Sequence, residues 1–444
     1  MSFKTTISGG KIRQRVLLFA AVLSFFFFST VKAQPLAKEE LEYLCAWVSL
    51  ASYSGRVGEV AREELAANGF VMAPLREENK KAAASYYLMR QEPMDGAPLY
   101  LLAVTGTKDW KDVKIDLSLR KVPFAGKTPE EFRRESKRKQ MDAAEPLVHS
   151  GFNTYAQTAF FTPKEGTLTV GEQLRDVLLK EPNARLCLTG HSLGGAVAVL
   201  LAGRLMAMGV PPEQLSVVTF GAPAVGNAAF AAAYKKMPLS RFVVAGDPVG
   251  AAVQAIDSDY VQYGTVTRFE PARGQNRFSH EMVSYMDAML RKVYAADEAS
   301  EDAAGTGESP RVYLAAEFRL PEALAADIPF WRRATAALVA RQLSGVVVGD
   351  AATLSEAQEK ARALGCRYVL WQSYEARRER ERLEAYQVTL QEGLFDTEGN
   401  LLTGQALTTN TAVMTPLLAA LYDAAAGREG RIQGLGWQTE RKEV

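Results

Sequence analysis

Hydrophobic and polar positions fall into blocks whose period switches between helix and strand. Between Pro35 and Ser54, apolar residues such as Leu41, Leu44, Trp47, Val48 and Ala51 recur at helical spacing, which predicts an amphipathic helix. Ala84 to Met89 and Pro98 to Thr105 read as strands around a turn at Pro93 to Gly96. Leu168 to Leu179 predicts a helix that closes before Pro182. A buried-strand run then ends at Gly190, and small and apolar residues resume in helical fashion after Gly194. Leu215 to Phe220 and Arg241 to Ala245 are short apolar strands with a helical stretch between them. Strands alternating with helices in this order imply a mostly parallel sheet covered on both faces, an α/β fold.

The pattern stops near Ala295. Residues 296–310 are acidic, small and without apolar periodicity, so they read as a solvated linker. A second, smaller α/β unit is predicted over residues 311–444. Its strands are Val312 to Phe318, Gly345 to Val348 and Tyr368 to Gln372, its helices Trp331 to Leu343 and Ser355 to Leu364. A hairpin over Gln387 to Leu402 turns at Asp396 to Asn400.

At the other end, Lys4, Lys11, Arg13 and Arg15 precede an uncharged, mainly apolar run from Val16 to Val31. Val31-Lys32-Ala33 before Gln34 is a small-residue cleavage pattern. Residues 1–33 are therefore expected to be an export signal, with the first domain running over 34–295 and the mature protein periplasmic or extracellular. An uncleaved membrane anchor is the alternative reading of the same run.

Composition narrows the possibilities. In 444 residues, 48% are hydrophobic and the net charge is +1, which supplies core material and gives nucleic acid no electrostatic footprint. The cysteines, Cys45, Cys187 and Cys366, are too few for a disulfide framework, although one bridge between Cys45 and Cys366 is left open. Three histidines, His149, His191 and His280, form no metal-ligand cluster, and no cofactor is expected.

The chemistry centres on Gly190-His191-Ser192-Leu193-Gly194-Gly195, a Gly-X-Ser-X-Gly at a strand-to-helix join. Such a join holds the serine on a strained turn above the sheet edge. The backbone N–H of Leu193 then points from a helix N-terminus at any developing oxyanion. A serine hydroxyl needs a base, and the base an orienting carboxylate. His191 adjoins the nucleophile and points away from it, and His149 precedes the elbow. The hydrolase chain order of nucleophile, acid and histidine therefore leaves His280 as the base. Asp247, just past the strand Arg241 to Ala245 and before Pro248, is favoured as the acid over Asp257 and Asp259. The loop Thr105-Gly106-Thr107-Lys108 fits a second oxyanion donor at Thr107.

Five segments in this order resemble the class 3 (fungal-type) triacylglycerol lipase family of α/β-hydrolases, over roughly residues 40–292. They are Val104-Thr105-Gly106-Thr107, Val148-His149-Ser150-Gly151-Phe152, the elbow itself, Thr219-Phe220-Gly221-Ala222-Pro223, and Asp247-Pro248-Val249 leading to His280. The resemblance implies an α/β-hydrolase fold and hydrolysis of lipid esters. It places Ser192, Asp247 and His280 in the triad and Thr107 and Leu193 in the oxyanion hole, while His149 and Phe220-Gly221 look structural. Lys108 to Leu117 departs from the apolar lid expected there by alternating Lys and Asp, which suits a soluble ester or a phospholipid headgroup. The basic stretch Arg120 to Lys139 reads either as a solvated face or as a contact for an anionic lipid surface. The region after the linker resembles, weakly, small α/β domains of bacterial envelope proteins, a likeness that implies no chemistry. The expected activity is thus an exported serine acyl hydrolase. The rivals are a catalytically silent scaffold on the same fold, and a phospholipase, acyltransferase or peptidase using the same triad.

Overall fold

The computed structural model describes residues 37–67, 70, 73–78, 83–91, 98–106, 120–163, 166–271, 279–294, 312–343, 345–379, 385–411 and 414–425. The expected export signal, the charged segment at Lys108 to Leu117, the turn at Pro93 to Gly96 and the acidic linker lie outside them.

Helices α1 (Lys38–Ala51) and α2 (Arg56–Ala67) open the chain, followed by β1 (Ala73–Glu78), β2 (Ala83–Gln91) and β3 (Leu99–Val104). Next come β4 (Lys121–Pro123), α3 (Pro129–Glu135), β5 (Leu147–His149), α4 (Ser150–Phe160) and α5 (Val170–Lys180). Strand β6 (Arg185–His191) runs into α6 (Leu193–Ala207), then β7 (Leu215–Phe220), β8 (Gly226–Asn227), α7 (Ala228–Ala233) and β9 (Leu239–Val244). Helix α8 (Val249–Ile256), β10 (Tyr260–Val261), β11 (Thr265–Phe269) and α9 (Met282–Val293) complete this half.

The main sheet has the order β1-β2-β3-β6-β7-β9-β11. It is antiparallel from β1 to β3 and parallel from β3 to β11. Val104 pairs with Gly190, His191 with Phe220 and Phe220 with Phe242. The C-terminal ends of β3, β6, β7 and β9 are therefore level, the edge where open α/β sheets hold their ligands. Strand alternation sorts the core into two layers. Leu102, Leu186, Leu188 and Val217 pack with α4, α5 and α6, whereas Leu101, Cys187, Val218 and Phe220 pack with α1, α2 and α9. A small second sheet, β10-β8-β5-β4, braces the top.

Beyond residue 311 lie β12 (Val312–Arg319), α10 (Glu322–Ala325), α11 (Ile328–Gln342), β13 (Val346–Val348), α12 (Leu354–Ala363), β14 (Tyr368–Arg378), β15 (Tyr386–Asp396), β16 (Leu401–Asn410) and α13 (Pro416–Ala425). The strands form a sheet ordered β13-β12-β14-β15-β16. Leu314, Leu370 and Leu394 face α11, while Tyr313, Ala315 and Val369 face α12. Trp331, Leu338, Leu417 and Leu421 join the core layer of α1, α2 and α9, so one apolar layer binds the two halves. Arg291 of α9 crosses that junction to Asp327 with paired hydrogen bonds of 2.6 and 2.9 Å.

Several points that the sequence leaves open or does not mark are decided by the fold. Cys45 does not meet Cys366: its thiol lies 3.4 Å from that of Cys187 between α1 and β6, and Cys366 lies between α12 and β14, packed against α12. All three are free thiols. Strand β14 continues six residues past the expected Gln372, and α2, β1, β11 and α13 lie where no element was expected. Among the described residues no helix is long and apolar enough to cross a membrane.

Candidate active site

The buried residues Leu186, Cys187 and Leu188 carry β6 through the centre of the sheet, and the chain reverses at Ser192. Ser192 has φ 56°, the one positive φ outside glycine among the described residues. That conformation costs on the order of 1 to 3 kcal/mol and persists only where its surroundings enforce it. Here Ser192 N donates to Phe220 O at 2.9 Å, and its own carbonyl accepts from Ala196 N at 3.2 Å as α6 begins. Gly194 is required by close approach. A Cβ there would collide with the carbonyl of Val104 and lie 3.0 Å from Gly106 N, so the elbow presses directly on the end of β3.

Asp247 leaves the level end of β9 through a tight turn, its N–H bonded to Val244 O at 3.1 Å. Its Oδ1 accepts from Val249 N at 2.8 Å, the first turn of α8. Tyr285 of α9 donates its hydroxyl to Oδ2. Gly221, with φ 59°, clears the space: a Cβ would stand 2.7 Å from Asp247 Oδ2. His280, immediately before α9, then bridges the other two groups. Its Nδ1 lies 2.9 Å from both Asp247 oxygens and its Nε2 2.9 Å from Ser192 Oγ. All three residues are at most 9% exposed.

The carboxylate accepts and cannot donate, so Nδ1 carries the hydrogen and Nε2 is left to accept from the serine hydroxyl. Burial pushes the Asp247 pKa up. The hydrogen bond and charge of His280, then the Tyr285 hydroxyl and Val249 N–H, more than offset it and hold the carboxyl below its usual range. Burial, and the Asp247 charge beside it, push the Tyr285 phenol far up, so it stays a donor.

The structure thus brings together Ser192, Asp247 and His280 and places Leu193 N–H at the head of α6; Thr107 lies outside the described residues, directly after Gly106. Asp257 and Asp259, the other acids considered, are held by Lys121 at 2.7 and 3.2 Å. His149 is structural: its Nδ1 accepts the N–H groups of Gly151 and Phe152 at 3.1 and 3.3 Å, capping α4. In the basic stretch, Arg133 pairs with Glu130, Arg134 with Glu135, and Arg138 with Glu135 and Glu145. Tyr285 was missed by sequence reasoning. A tyrosine five residues past the histidine, on a buried helix face, carries no motif to mark it.

Comparison with known proteins gives partial matches. The family model for class 3 lipases matches residues 101–255. The chain is 49% identical over 70 residues to Lipase ZK262.3 of Caenorhabditis elegans, covering 15% of this chain and 20% of that protein. It is 43% identical over 60 residues to the secreted mono- and diacylglycerol lipase A of Penicillium cyclopium, covering 14% and 19%. The matches therefore span about a fifth of the length of these relatives. Among solved structures, the lipase of Rhizopus microsporus var. chinensis superposes with a TM-score of 0.39 at 21% identity, over 55% of this chain and 78% of that one. The Lip2 lipase of Yarrowia lipolytica gives 0.39 at 20% identity, over 57% and 86%. The stretch from residue 101 to 255, which carries the elbow and Asp247, is thus the part of the chain that matches the class 3 lipase family model.

Proposed function

We propose that this protein is an exported serine acyl hydrolase that cleaves carboxylic esters of lipids through an acyl-enzyme. The observation that carries the reading is the unbroken line from Ser192 Oγ through His280 to Asp247, set on a strained elbow. His280 Nε2 takes the proton as Ser192 Oγ attacks the acyl carbon, and Asp247 steadies the imidazolium that results. The oxyanion of the tetrahedral intermediate faces Leu193 N–H and Thr107, each such donor being worth about 3 to 4 kcal/mol. His280 returns the proton to the leaving alkoxide. Water then enters by the same base to release the acid.

The family match supports a lipid ester as substrate. The alternating charges of Lys108 to Leu117 favour one with a polar headgroup or short chains. Export rests on the signal pattern over residues 1–33, with 34–295 as the catalytic domain, 296–310 as linker and 311–444 as an accessory domain. The test is hydrolysis of p-nitrophenyl butyrate and palmitate by the chain from Gln34, beside Ser192→Ala. Turnover that falls at least about 10³-fold in the variant is expected. Equal turnover in both proteins would overturn the reading.

A further inference from the structure

Helix α1 lies along β6, and three side-chain pairs cross between them at matching intervals. Cys45 faces Cys187 at 3.4 Å, Ser49 faces Thr189 at 3.1 Å, and Tyr53 faces His191 at 2.7 Å. Four helical residues rise about 6 Å and two strand residues about 6.6 Å, so steps of four on one side keep pace with steps of two on the other. The last pair lies past the end of α1, where Tyr53 N still bonds Leu50 O at 3.1 Å. It is also the pair beside Ser192.

His191 joins this ladder to the base. Its Nε2 stands 2.5 Å from the carbonyl oxygen of His280. A carbonyl only accepts, so Nε2 carries the hydrogen, and in a neutral ring Nδ1 must then accept the hydroxyl of Tyr53. The ring is neutral because burial and the neighbouring His280 push its pKa down to about 3. The Tyr53 hydroxyl also lies against the backbone of Gly106. A Cβ on Gly106 would strike that hydroxyl and lie 2.6 Å from His191 O, so the loop, the phenol and the elbow are packed without slack. Gly106 is the residue before Thr107.

We propose that Tyr53 is a positioning residue for the hydrolytic reaction, its one hydroxyl tying the loop that leads to Thr107 to His191, and through His191 to the backbone of His280. The inference rests on the acyl-hydrolase reading above. Tyr53 touches no reacting atom. It holds the end of β3 at Gly106 against the elbow and the base, an alignment that matters in the transition state more than in substrate binding. Its loss therefore lowers kcat and leaves KM nearly unchanged.

The experiment compares the full chain with Tyr53→Phe, His191→Gln and the double variant on p-nitrophenyl butyrate, with melting temperatures in parallel. Tyr53→Phe is expected to lower kcat about ten- to a hundred-fold with KM within about three-fold. The double variant should be no slower than the slower single one, because both break the same relay. An active wild type with Tyr53→Phe within about two-fold in kcat, or losses that multiply in the double variant, would overturn this inference and leave the hydrolase reading standing. An inactive wild type would defeat both. A readout that needs no variant is the ¹⁵N spectrum of the imidazoles, tractable with only three histidines in the chain. His191 is expected as the Nε2–H tautomer and neutral at pH 5. A ring protonated on Nδ1 would overturn the proposed relay.

Discussion

The seven-stranded and five-stranded sheets obey the same packing rule and differ in what their strand ends release. In the first, the level ends of β6, β7 and β9 lead into turns that deliver Ser192, Gly221 and Asp247 to one spot, and the residue at the centre is strained. In the second, no described residue other than glycine has a positive φ. The buried carboxylate on its central strands is satisfied within the sheet: Glu392 accepts from Gln372 at 2.7 Å and from Gln405 at 3.2 Å. Arg319 and Arg377, near the ends of parallel strands, pair with Glu317 and Glu375 on their own strands. The contrast teaches that chemistry is marked by enforced strain together with titratable groups that converge from different elements. Satisfied polar pairs mark support.

The sharpest way to break this contrast is to alter one atom in the convergent set. Asp247→Asn keeps the shape but turns one of the two oxygens facing His280 Nδ1 into an NH2 donor and removes the negative charge, so kcat should fall about 10⁴-fold while the melting temperature moves little. Steady-state kinetics alongside thermal melts separate the two effects. A variant with near-normal kcat would show that the line of three groups is not catalytic.

The next largest effect should run the other way. Arg291 sits between Asp287 and Asp327, both almost fully buried, and Arg291→Ala leaves two carboxylates without their cation. About 3 kcal/mol of stability should be lost, with kcat per folded molecule within about two-fold because His280 lies at the far end of α9. Urea unfolding and active-site titration would check both halves. A large fall in kcat with unchanged stability would mean that the second sheet steers the active site rather than bracing the first.

The smallest effect, taken per pH unit, is a pH dependence confined to one half. His191 is held neutral when folded, down to about pH 3, whereas an unfolded histidine takes up its proton near pH 6.5. The unfolded state thus binds the extra proton between these values. Stability should be intact above about pH 6.5 and fall as the pH drops below it, by up to about 1.4 kcal/mol per pH unit. His191→Gln should flatten that slope. Asp247, whose folded pKa is lowered, adds a loss only below the unfolded carboxylate range near 3.9. The second sheet contains no histidine and cannot produce the effect. Denaturation midpoints from pH 4 to 8 would test the assignment.

Much of this site was legible in the chain because its signals are short in range. The elbow is written in six consecutive residues, and chain order and the scarcity of histidine single out Asp247 and His280, which the structure brings together with Ser192. The central strands were legible for the same reason, being apolar runs bounded by turns. Tyr285 and Tyr53 were not, since each acts through a contact with a residue far from it in sequence. Strand β11 was missed because it is an edge strand, largely exposed and lacking a clear apolar alternation. Helix α13 is apolar nearly all round, which erases the periodicity that marks a surface helix. The pairing of Cys45 is likewise a matter of which helix crosses which strand, and spacing alone carries no trace of it.

The central claim is that Ser192 is an activated nucleophile, and the most direct measurement is covalent capture by an alkyl fluorophosphonate. The wild-type chain should gain one phosphonyl group, located at Ser192 by peptide mapping, while Ser192→Ala gains none. A folded wild-type chain that stays unmodified under conditions that label an ordinary serine esterase would contradict the account.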